Sequence, residues 1–337
     1  MSRETTVGVG VVRGELTGVE ERLTLDLDEL DWPSVGVVIT TRDRPNLVRR
    51  ALAAVAAQDY PGPVRVVVVF DRTEPDWTLS CSGRRPVLVL ENWRTPGLAG
   101  ARNTGILATA DCDWVALCND DDTWAPHKLS TQLAALSHRP DSPFATCAAE
   151  VEYGGRRVTR RAGPVTLDAV SRGRGRTLAA SGFLARHDVL ARAAERGGIG
   201  LLDEEGPAGA AEWDLLMRAA RRAPIVHLDE PLVRVLWRRP AAEPSHHLEV
   251  LRWMTAHHPE LRDDGRHAAR TLAEMACWEA VAGNRPGSWA GARAALRARR
   301  WEPLALLALA AAAGLARGRH LRALLRRDHL IRVDHRR

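Results

Sequence analysis

The sequence has 337 residues, of which 45% are apolar and 27% charged, and its formal net charge is +6. This length and composition can bury a large core, which excludes a disordered or low-complexity protein. The five cysteines form no Cys-x-x-Cys pair and no Cys/His metal spacing, which excludes a disulfide framework and a zinc module. No uncharged apolar run reaches the ~18–20 residues of a spanning helix, and we expect no secretory signal.

The first strands follow an N-terminal stretch, residues 1–33, which we interpret as a peripheral extension without an assigned role. Residues 35–41 form a compact apolar run and predict a buried strand. Residues 45–55 have apolar positions at helical spacing after a proline, which favours the first turn of a helix. Residues 64–70 predict a second strand. This order predicts a right-handed strand–helix–strand unit.

The alternation of strand and helix continues to about residue 136. Residues 86–90 predict a third strand, and a helix is predicted from Gly97 to about Ala110. A strand at 114–118 and a helix at 126–136 follow. Strictly alternating elements predict an α/β fold, with a mostly parallel sheet flanked by helices on both faces.

The pattern loosens after residue 144. The predicted elements there are a hairpin at 145–153 and 158–161, a strand at 178–184, a helix at 212–222, and closing strands at 225–228 and 232–237. Helical patterns rich in alanine, leucine and arginine fill residues 244–283 and 288–326. We therefore place a domain boundary near Pro240, with a body at 34–240 and a helical, arginine-rich region at 241–337.

The strand at 114–118 leads into three consecutive carboxylates, Asp120, Asp121 and Asp122. In extended backbone alternate side chains share a face, so Asp120 and Asp122 are predicted to point the same way, with Asp121 opposite. Two carboxylates on one face suit Mg²⁺ or Mn²⁺, which keep positions open for substrate phosphates. The structural alternative is a solvated acidic turn.

Residues 34–238 resemble the family 2 glycosyltransferases of GT-A fold. The resemblance rests on five motifs in the family's order: VVITTRDRP at 37–45, VVFD at 68–71, GLAGARN at 97–103, NDDDTW at 119–124 and EWD at 212–214. Each motif alone is weak, whereas their order and spacing together are specific. The resemblance implies a GT-A fold, a nucleotide-diphosphate sugar donor, Mg²⁺ or Mn²⁺ as cofactor, and an inverting mechanism.

The resemblance also assigns the donor site. Asp122 matches the family's principal metal ligand in its DxD motif, and Asp120 would bear on the metal and the diphosphate or ribose. Asp71 would receive the ring N–H of the nucleotide base. The alternatives for these acids are a turn or a helix cap.

Three cations and a hydroxyl complete the predicted donor site. The resemblance implies that Thr40 and Arg42 line the nucleotide pocket and that Arg102 braces the nucleotide beside Asp71. Arg238 would contact the diphosphate where the family often has histidine. The alternative for each arginine is an ordinary surface cation.

Glu212 is the predicted catalytic base, by the same resemblance. The family usually has aspartate at this position, so the longer side chain is a departure, and Asp214 is the fallback. Both acids would also be stable as first-turn residues of a helix. A carboxylate opposite the metal would take the proton from the attacking hydroxyl, and inversion needs only this one base.

The predicted function is therefore metal-dependent sugar transfer to an acceptor hydroxyl in the synthesis of a cell-envelope glycan, a polysaccharide or a glycosylated metabolite. A non-catalytic scaffold with a membrane- or partner-binding tail and a sugar-nucleotide nucleotidyltransferase remain alternatives. The nucleotidyltransferase requires a glycine in the loop after the first strand, and residues 40–45 contain none.

The net positive charge belongs to the C-terminal end. Residues 291–337 hold twelve arginines against three acids, and the rest of the sequence is slightly acidic. We expect a cytoplasmic protein whose tail either contacts the inner face of the cell membrane or packs on the body with its arginines in solvent. Arginines without a recognised binding fold do not support a nucleic-acid partner.

Overall fold

The computed structural model describes residues 32–153, 155–236 and 243–316, together with residues 321 and 325. Its strands are β1 (Val35–Thr41), β2 (Val64–Phe70), β3 (Val87–Glu91), β4 (Trp114–Asn119), β5 (Thr123–Trp124), β6 (Phe144–Tyr153), β7 (Arg156–Arg160), β8 (Leu184–Arg186) and β9 (Val226–Leu236). Its α-helices are α1 (Pro45–Ala56), α2 (Leu98–Leu107), α3 (Lys128–Ser137), α4 (Leu167–Ser171), α5 (His187–Ala191), α6 (Ala211–Arg222), α7 (Pro244–His257), α8 (Glu260–Asp263), α9 (Gly265–Val281), α10 (Arg285–Ala298) and α11 (Pro303–Ala312).

The strands form one mixed sheet in the order β3-β2-β1-β4-β8-β6-β9-β5, with β7 paired to β6. The first four strands of this order are parallel. Thr41 of β1 pairs with Phe70 of β2, and Thr40 pairs with Asn119 of β4. The carboxyl ends of three strands therefore meet at one edge, where open α/β sheets bind their ligands.

The valine-rich sequences of β1 and β2 explain their central position, since both faces of each strand are buried. Val37 and Ile39 pack in one core with Val48 and Val55 of α1. Val38 points to the opposite face and packs in a core with Ile106 of α2. The prediction of a mostly parallel sheet flanked by helices is confirmed.

The C-terminal helices share a core with the sheet-covering helix α6. Trp213 and Leu216 of α6 belong to the same buried cluster as Leu251 of α7, Trp278 of α9 and Ala308 of α11. The described residues from Trp32 onward accordingly cluster as one unit. Within the part of the chain that the structure describes, no helix is both long and apolar enough to cross a bilayer.

Two predicted strand segments differ from the structure. Residues 178–184 are mostly turn, with a 3-10 turn at Ala180–Gly182, and β8 begins only at Leu184. The two predicted closing strands are a single strand, β9, which runs through Pro231. Proline is tolerated there because the pairing with β6 shifts register beside it, so no ladder hydrogen bond from its nitrogen is required.

Lys128, the only lysine of the sequence, lies fully buried at the start of α3. Its Nζ donates a hydrogen bond to Gln132 Oε1 at 2.8 Å and lies 3.9 Å from the centroid of the Trp124 ring. Burial lowers the pKa of Lys128 to about 8. The chain thus keeps an ammonium group inside its core, paired with an amide and an aromatic face.

Candidate functional site

A cavity of about 980 Å³ opens at the carboxyl edge of β1, β2 and β4. Six of the predicted site residues line it: Thr40, Arg42, Asp71, Arg102, Asp120 and Glu212. Asp122 and Asp214 are absent from its wall. Arg238 lies outside the described residues, as do residues 1–31 of the predicted extension. Most of the predicted donor site therefore converges on one cavity.

Asp71 directly follows β2, and the loop that leads to α2 holds its carboxylate by hydrogen bonds. Its Oδ1 accepts hydrogen bonds from Asn92 Nδ2 at 2.8 Å and from the backbone N–H of Gly97 at 3.0 Å. Gly97 has a φ of 135°, which only glycine adopts without strain. The glycine thus lets the chain aim its N–H at Asp71 and then enter α2, which carries Arg102.

The acidic loop is a turn, so the predicted alternation of its side chains is wrong. The N–H of Asp122 donates to the carbonyl of Asn119 at 3.2 Å, which closes the turn. Asp120 Oδ1 and Asp121 Oδ2 both lie 3.0 Å from the same Arg44 nitrogen, Nη1. Adjacent acids therefore share the cavity wall, because the turn replaces the extended backbone on which the alternation depended.

Asp122 points into the protein instead. Its Oδ2 accepts hydrogen bonds from the Ser181 hydroxyl at 2.5 Å and from Asn119 Nδ2 at 3.0 Å, and the residue is 1% exposed. Burial raises the pKa of Asp122 to about 6, against the opposite effect of the Ser181 hydrogen bond. The structure thus places Asp121, and not Asp122, beside Asp120 at the cavity.

These two carboxylates fit a divalent cation by their geometry. Because Asp120 and Asp121 already approach one guanidinium nitrogen, their oxygens can approach one metal ion. Thr41 donates to the other oxygen of Asp120 at 2.8 Å and fixes its orientation. Among the described residues no group of three or more His, Cys, Asp or Glu could enclose a metal. The arrangement suits an ion that keeps positions for substrate oxygens.

Glu212, in the first turn of α6, faces the same cavity through an ion pair. Arg102 Nη1 donates to Glu212 Oε1 at 2.5 Å, and Arg102 Nη2 donates to Asn119 Oδ1 at 2.9 Å. Burial raises the pKa of Glu212, but the charge and hydrogen bond of Arg102 outweigh it and hold the pKa below its usual value. Glu212 is therefore an ionised carboxylate. The guanidinium of Arg102 links it to Asn119, which directly precedes the acidic loop.

Asp214 lies on the other side of α6 and is enclosed by the side chains of Arg218 and His258. Its Oδ2 accepts from Arg218 Nη2 at 2.5 Å, and its Oδ1 lies 3.0 Å from His258 Nε2 of the segment after α7. Burial raises the pKa of Asp214, and the hydrogen bonds from His258 and Arg218 more than reverse that rise, so its pKa is lowered. Asp214 joins α6 to the C-terminal helices.

The far wall of the cavity comes from residues that the sequence analysis did not single out. Arg176 forms two 2.7 Å hydrogen bonds with Glu274 of α9 and lies over the Trp213 ring. His247 of α7 stacks on Trp278 of α9, with ring centroids 3.9 Å apart. No local pattern indicates these contacts, since their partners are far apart in the sequence. Arg44 was also missed, although it directly precedes the proline of α1.

Comparisons with known proteins agree with this architecture. Residues 36–187 match the model of the family described as glycosyl transferase family 2. No curated protein sequence matches the chain.

Solved structures with a similar fold include two of TarS from S. aureus. The crystal structure of TarS 1–349 in complex with UDP-GlcNAc has a TM-score of 0.58 and 18% identity, and the match covers 88% of this chain and 91% of that one. A longer TarS chain is matched over 53% of its length and 83% of this chain, with a TM-score of 0.52 and 17% identity. These likenesses show the fold, which is GT-A.

A third similar structure is the mannosyltransferase PcManGT from Pyrobaculum calidifontis in complex with GDP-Man and Mn²⁺. It has a TM-score of 0.53 and 17% identity, and the match covers 87% of this chain and 83% of that one. The similarity extends beyond the family-model match and includes the C-terminal helices, because it spans most of both chains.

Proposed function

We propose that this chain, whose residues 36–187 match the model of glycosyl transferase family 2, is a glycosyltransferase of that family and transfers a sugar from a nucleotide-diphosphate sugar to an acceptor hydroxyl with inversion. One observation carries the proposal. A single cavity holds two converging carboxylates, Asp120 and Asp121, and an ionised carboxylate, Glu212, whose partner Arg102 also bonds Asn119, the residue before Asp120. This pairing supplies a cation position for a leaving diphosphate and a base for an attacking alcohol.

The donor would lie along the ends of β1 and β2. Thr40 and Arg42 line this part of the cavity, and Asp71 presents a carboxylate that can accept the N–H of a nucleotide base. Asp120 and Asp121 would hold Mg²⁺ or Mn²⁺, which when bound neutralises the charge that develops on the diphosphate. The Mn²⁺ in the similar mannosyltransferase supports the use of a divalent ion.

Glu212 would act as the base. Because its pKa is lowered, it is deprotonated at neutral pH and can accept the proton of the acceptor hydroxyl. Arg102 holds this carboxylate in place and is itself 3% exposed, so the pair is fixed by the surrounding structure. A single base on the acceptor side is what an inverting displacement requires.

The acceptor would enter past Glu212, along the wall made by Arg176, His246 and His247. Synthesis of an envelope glycan, a polysaccharide or a glycosylated metabolite stays a prediction, as do a cytoplasmic location and the peripheral membrane contact of the tail. We expect no nucleic-acid partner, because the residues that the structure describes form no recognised nucleic-acid-binding fold.

The direct test is a donor screen with purified protein and UDP-, GDP- and dTDP-sugars, in the presence of Mn²⁺, Mg²⁺ or EDTA. We expect sugar release from one donor class, dependent on the divalent ion. Asp121→Asn should reduce turnover by about 10²–10³-fold, because a cation that stabilises the leaving group contributes several kcal/mol.

Asp122→Asn is the matched control, since it removes a neighbouring carboxylate that faces the interior. We expect it to retain most turnover and its metal dependence. Equal losses in both variants would make Asp122 a functional ligand, as the sequence predicted. Failure of every donor to bind or react, with or without metal, would favour the non-catalytic scaffold.

A further inference from the structure

A basic, tryptophan-bearing surface lies on α10, away from the cavity described above. Residues 285–301 contain five arginines and no acidic residue. Arg285, Trp289, Arg293 and Arg297 follow one another at intervals of four residues, which places them along one face of the helix. With Ala312 of α11 they line a groove of about 550 Å³. We name this set the α10 ridge.

The acids that precede and follow the α10 ridge are engaged elsewhere. Glu279 pairs with Arg252 at 2.7 Å and accepts a hydrogen bond from Asn284. Glu302 is 3% exposed and caps α11 through the N–H of Leu304. The positive charge of the ridge is therefore not cancelled by its nearest carboxylates in the sequence.

Exposed apolar side chains lie on α10, on α11 and on the short segment between these helices. Trp289 is 46% exposed and Trp301 is 77% exposed. On α11, Leu304 and Ala308 are buried, whereas Leu306 and Leu307 project outward at 46% and 37% exposure. Tryptophan, leucine and arginine together are the composition of surfaces that lie at the boundary of lipid headgroups and acyl chains.

We propose that the α10 ridge docks on a membrane surface that contains anionic phospholipids, with headgroup phosphates in its groove and Trp289 and Trp301 inserted among the headgroups. Charge complementarity favours this occupant, because an anionic leaflet attracts each basic residue near its surface. The exposed tryptophans and leucines distinguish it from a surface that binds nucleic acid, because such a surface acts mainly through basic contacts to phosphates. Docking here would hold the catalytic cavity near acceptors at that surface.

The test uses the whole chain and sedimentation with vesicles of phosphatidylcholine alone or with phosphatidylglycerol added, in the absence of any donor. We expect binding only to the anionic vesicles. Arg293→Glu with Arg297→Glu should weaken it by about thirtyfold or more, since each basic contact contributes roughly fivefold. Trp289→Ser should weaken binding without changing its dependence on anionic lipid.

Arg139→Glu with Arg196→Glu is the matched control, because it changes the net charge equally at exposed arginines outside the C-terminal helices. Thermal unfolding of each variant establishes that it is folded. Binding of the control as weak as that of the ridge variant would overturn the site, since it would indicate diffuse attraction only. Absence of vesicle binding, equal binding to neutral vesicles, or tighter binding to duplex DNA than to anionic vesicles would also overturn the proposal. Donor turnover plays no part in these measurements, so their failure leaves the proposed sugar transfer untouched.

Discussion

Each side of α6 carries an ion pair between an arginine and a carboxylate, but the surroundings of the two pairs differ. On the cavity side, Arg102 pairs with Glu212; on the interior side, Arg218 pairs with Asp214. The third partner differs, because Arg102 extends to Asn119 at the cavity, whereas Asp214 also bonds His258. The carboxylate that retains solvent access is available for chemistry, and the enclosed one fastens helices together.

The acidic loop repeats this difference within two residues. Asp121 faces the cavity with 19% of its side chain exposed, whereas Asp122 is bonded by Ser181 and Asn119. In both places neighbouring acids are divided between the cavity and the core. Residue type alone therefore does not distinguish the cavity-facing carboxylates from the buried ones, whereas their hydrogen-bond partners do.

The largest expected effect concerns the cavity side of α6. Glu212→Gln should lower turnover by about 10²–10⁴-fold, because it removes the base and keeps the shape. Glu212→Asp should recover part of this loss, since the shorter carboxylate can still accept a proton. Initial rates with the best donor measure both. Unchanged turnover in Glu212→Gln would exclude Glu212 as the base.

On the interior side of α6, a substitution of Asp214 should lower the stability of the protein. Asp214→Ala leaves Arg218 and His258 without their buried partner, so we expect the free energy of unfolding to fall by about 3–5 kcal/mol. Urea denaturation measures the change, and Asp214→Asn should lose less because it keeps a hydrogen-bond acceptor. A folded Asp214 variant of normal stability without turnover would instead make Asp214 catalytic.

Lys128 is a buried cation, whereas Asp122 and Asp214 are buried carboxylates. Its pKa of about 8 lies below the unfolded value of 10.5, so the unfolded state binds more protons between these two pH values. Stability of the native protein should therefore rise with pH across that window, relative to Lys128→Met, by about 3 kcal/mol. Below pH 8 the variant should be the more stable protein. Parallel pH profiles of the two proteins would contradict the buried charge.

The smallest expected effect is at Arg44, which bridges Asp120 and Asp121. Arg44→Ala removes a cation that competes for these oxygens, so the affinity for free Mn²⁺ should rise by about two- to fivefold, a typical value for a partly exposed ion pair. Titration of Mn²⁺ without nucleotide, followed by electron paramagnetic resonance, measures it. Arg42→Ala, in the same turn, is the control; weaker Mn²⁺ binding in Arg44→Ala alone would mean that Arg44 positions the ligands.

The sequence predicted the elements that local chemistry determines. The apolar runs of β1, β2 and β4 placed three strand ends correctly. The family resemblance, and not the apolar pattern, assigned roles to Asp71, Asp120 and Glu212, and the structure places all three in the wall of one cavity. Periodicity could not show the turn that brings Asp121 to the cavity. Nor could periodicity show the hydrogen bonds between Arg176 and Glu274, which lie 98 residues apart in the chain. Such contacts depend on how the C-terminal helices pack.

The enclosure of Lys128 has a practical consequence. Since the sequence contains no other lysine and this one is 0% exposed, reagents directed at primary amines find no side-chain target on the folded molecule. Acylation of Lys128 would require local opening of α3. Its labelling rate, followed by mass spectrometry, would therefore report transient opening of the core beside the acidic loop.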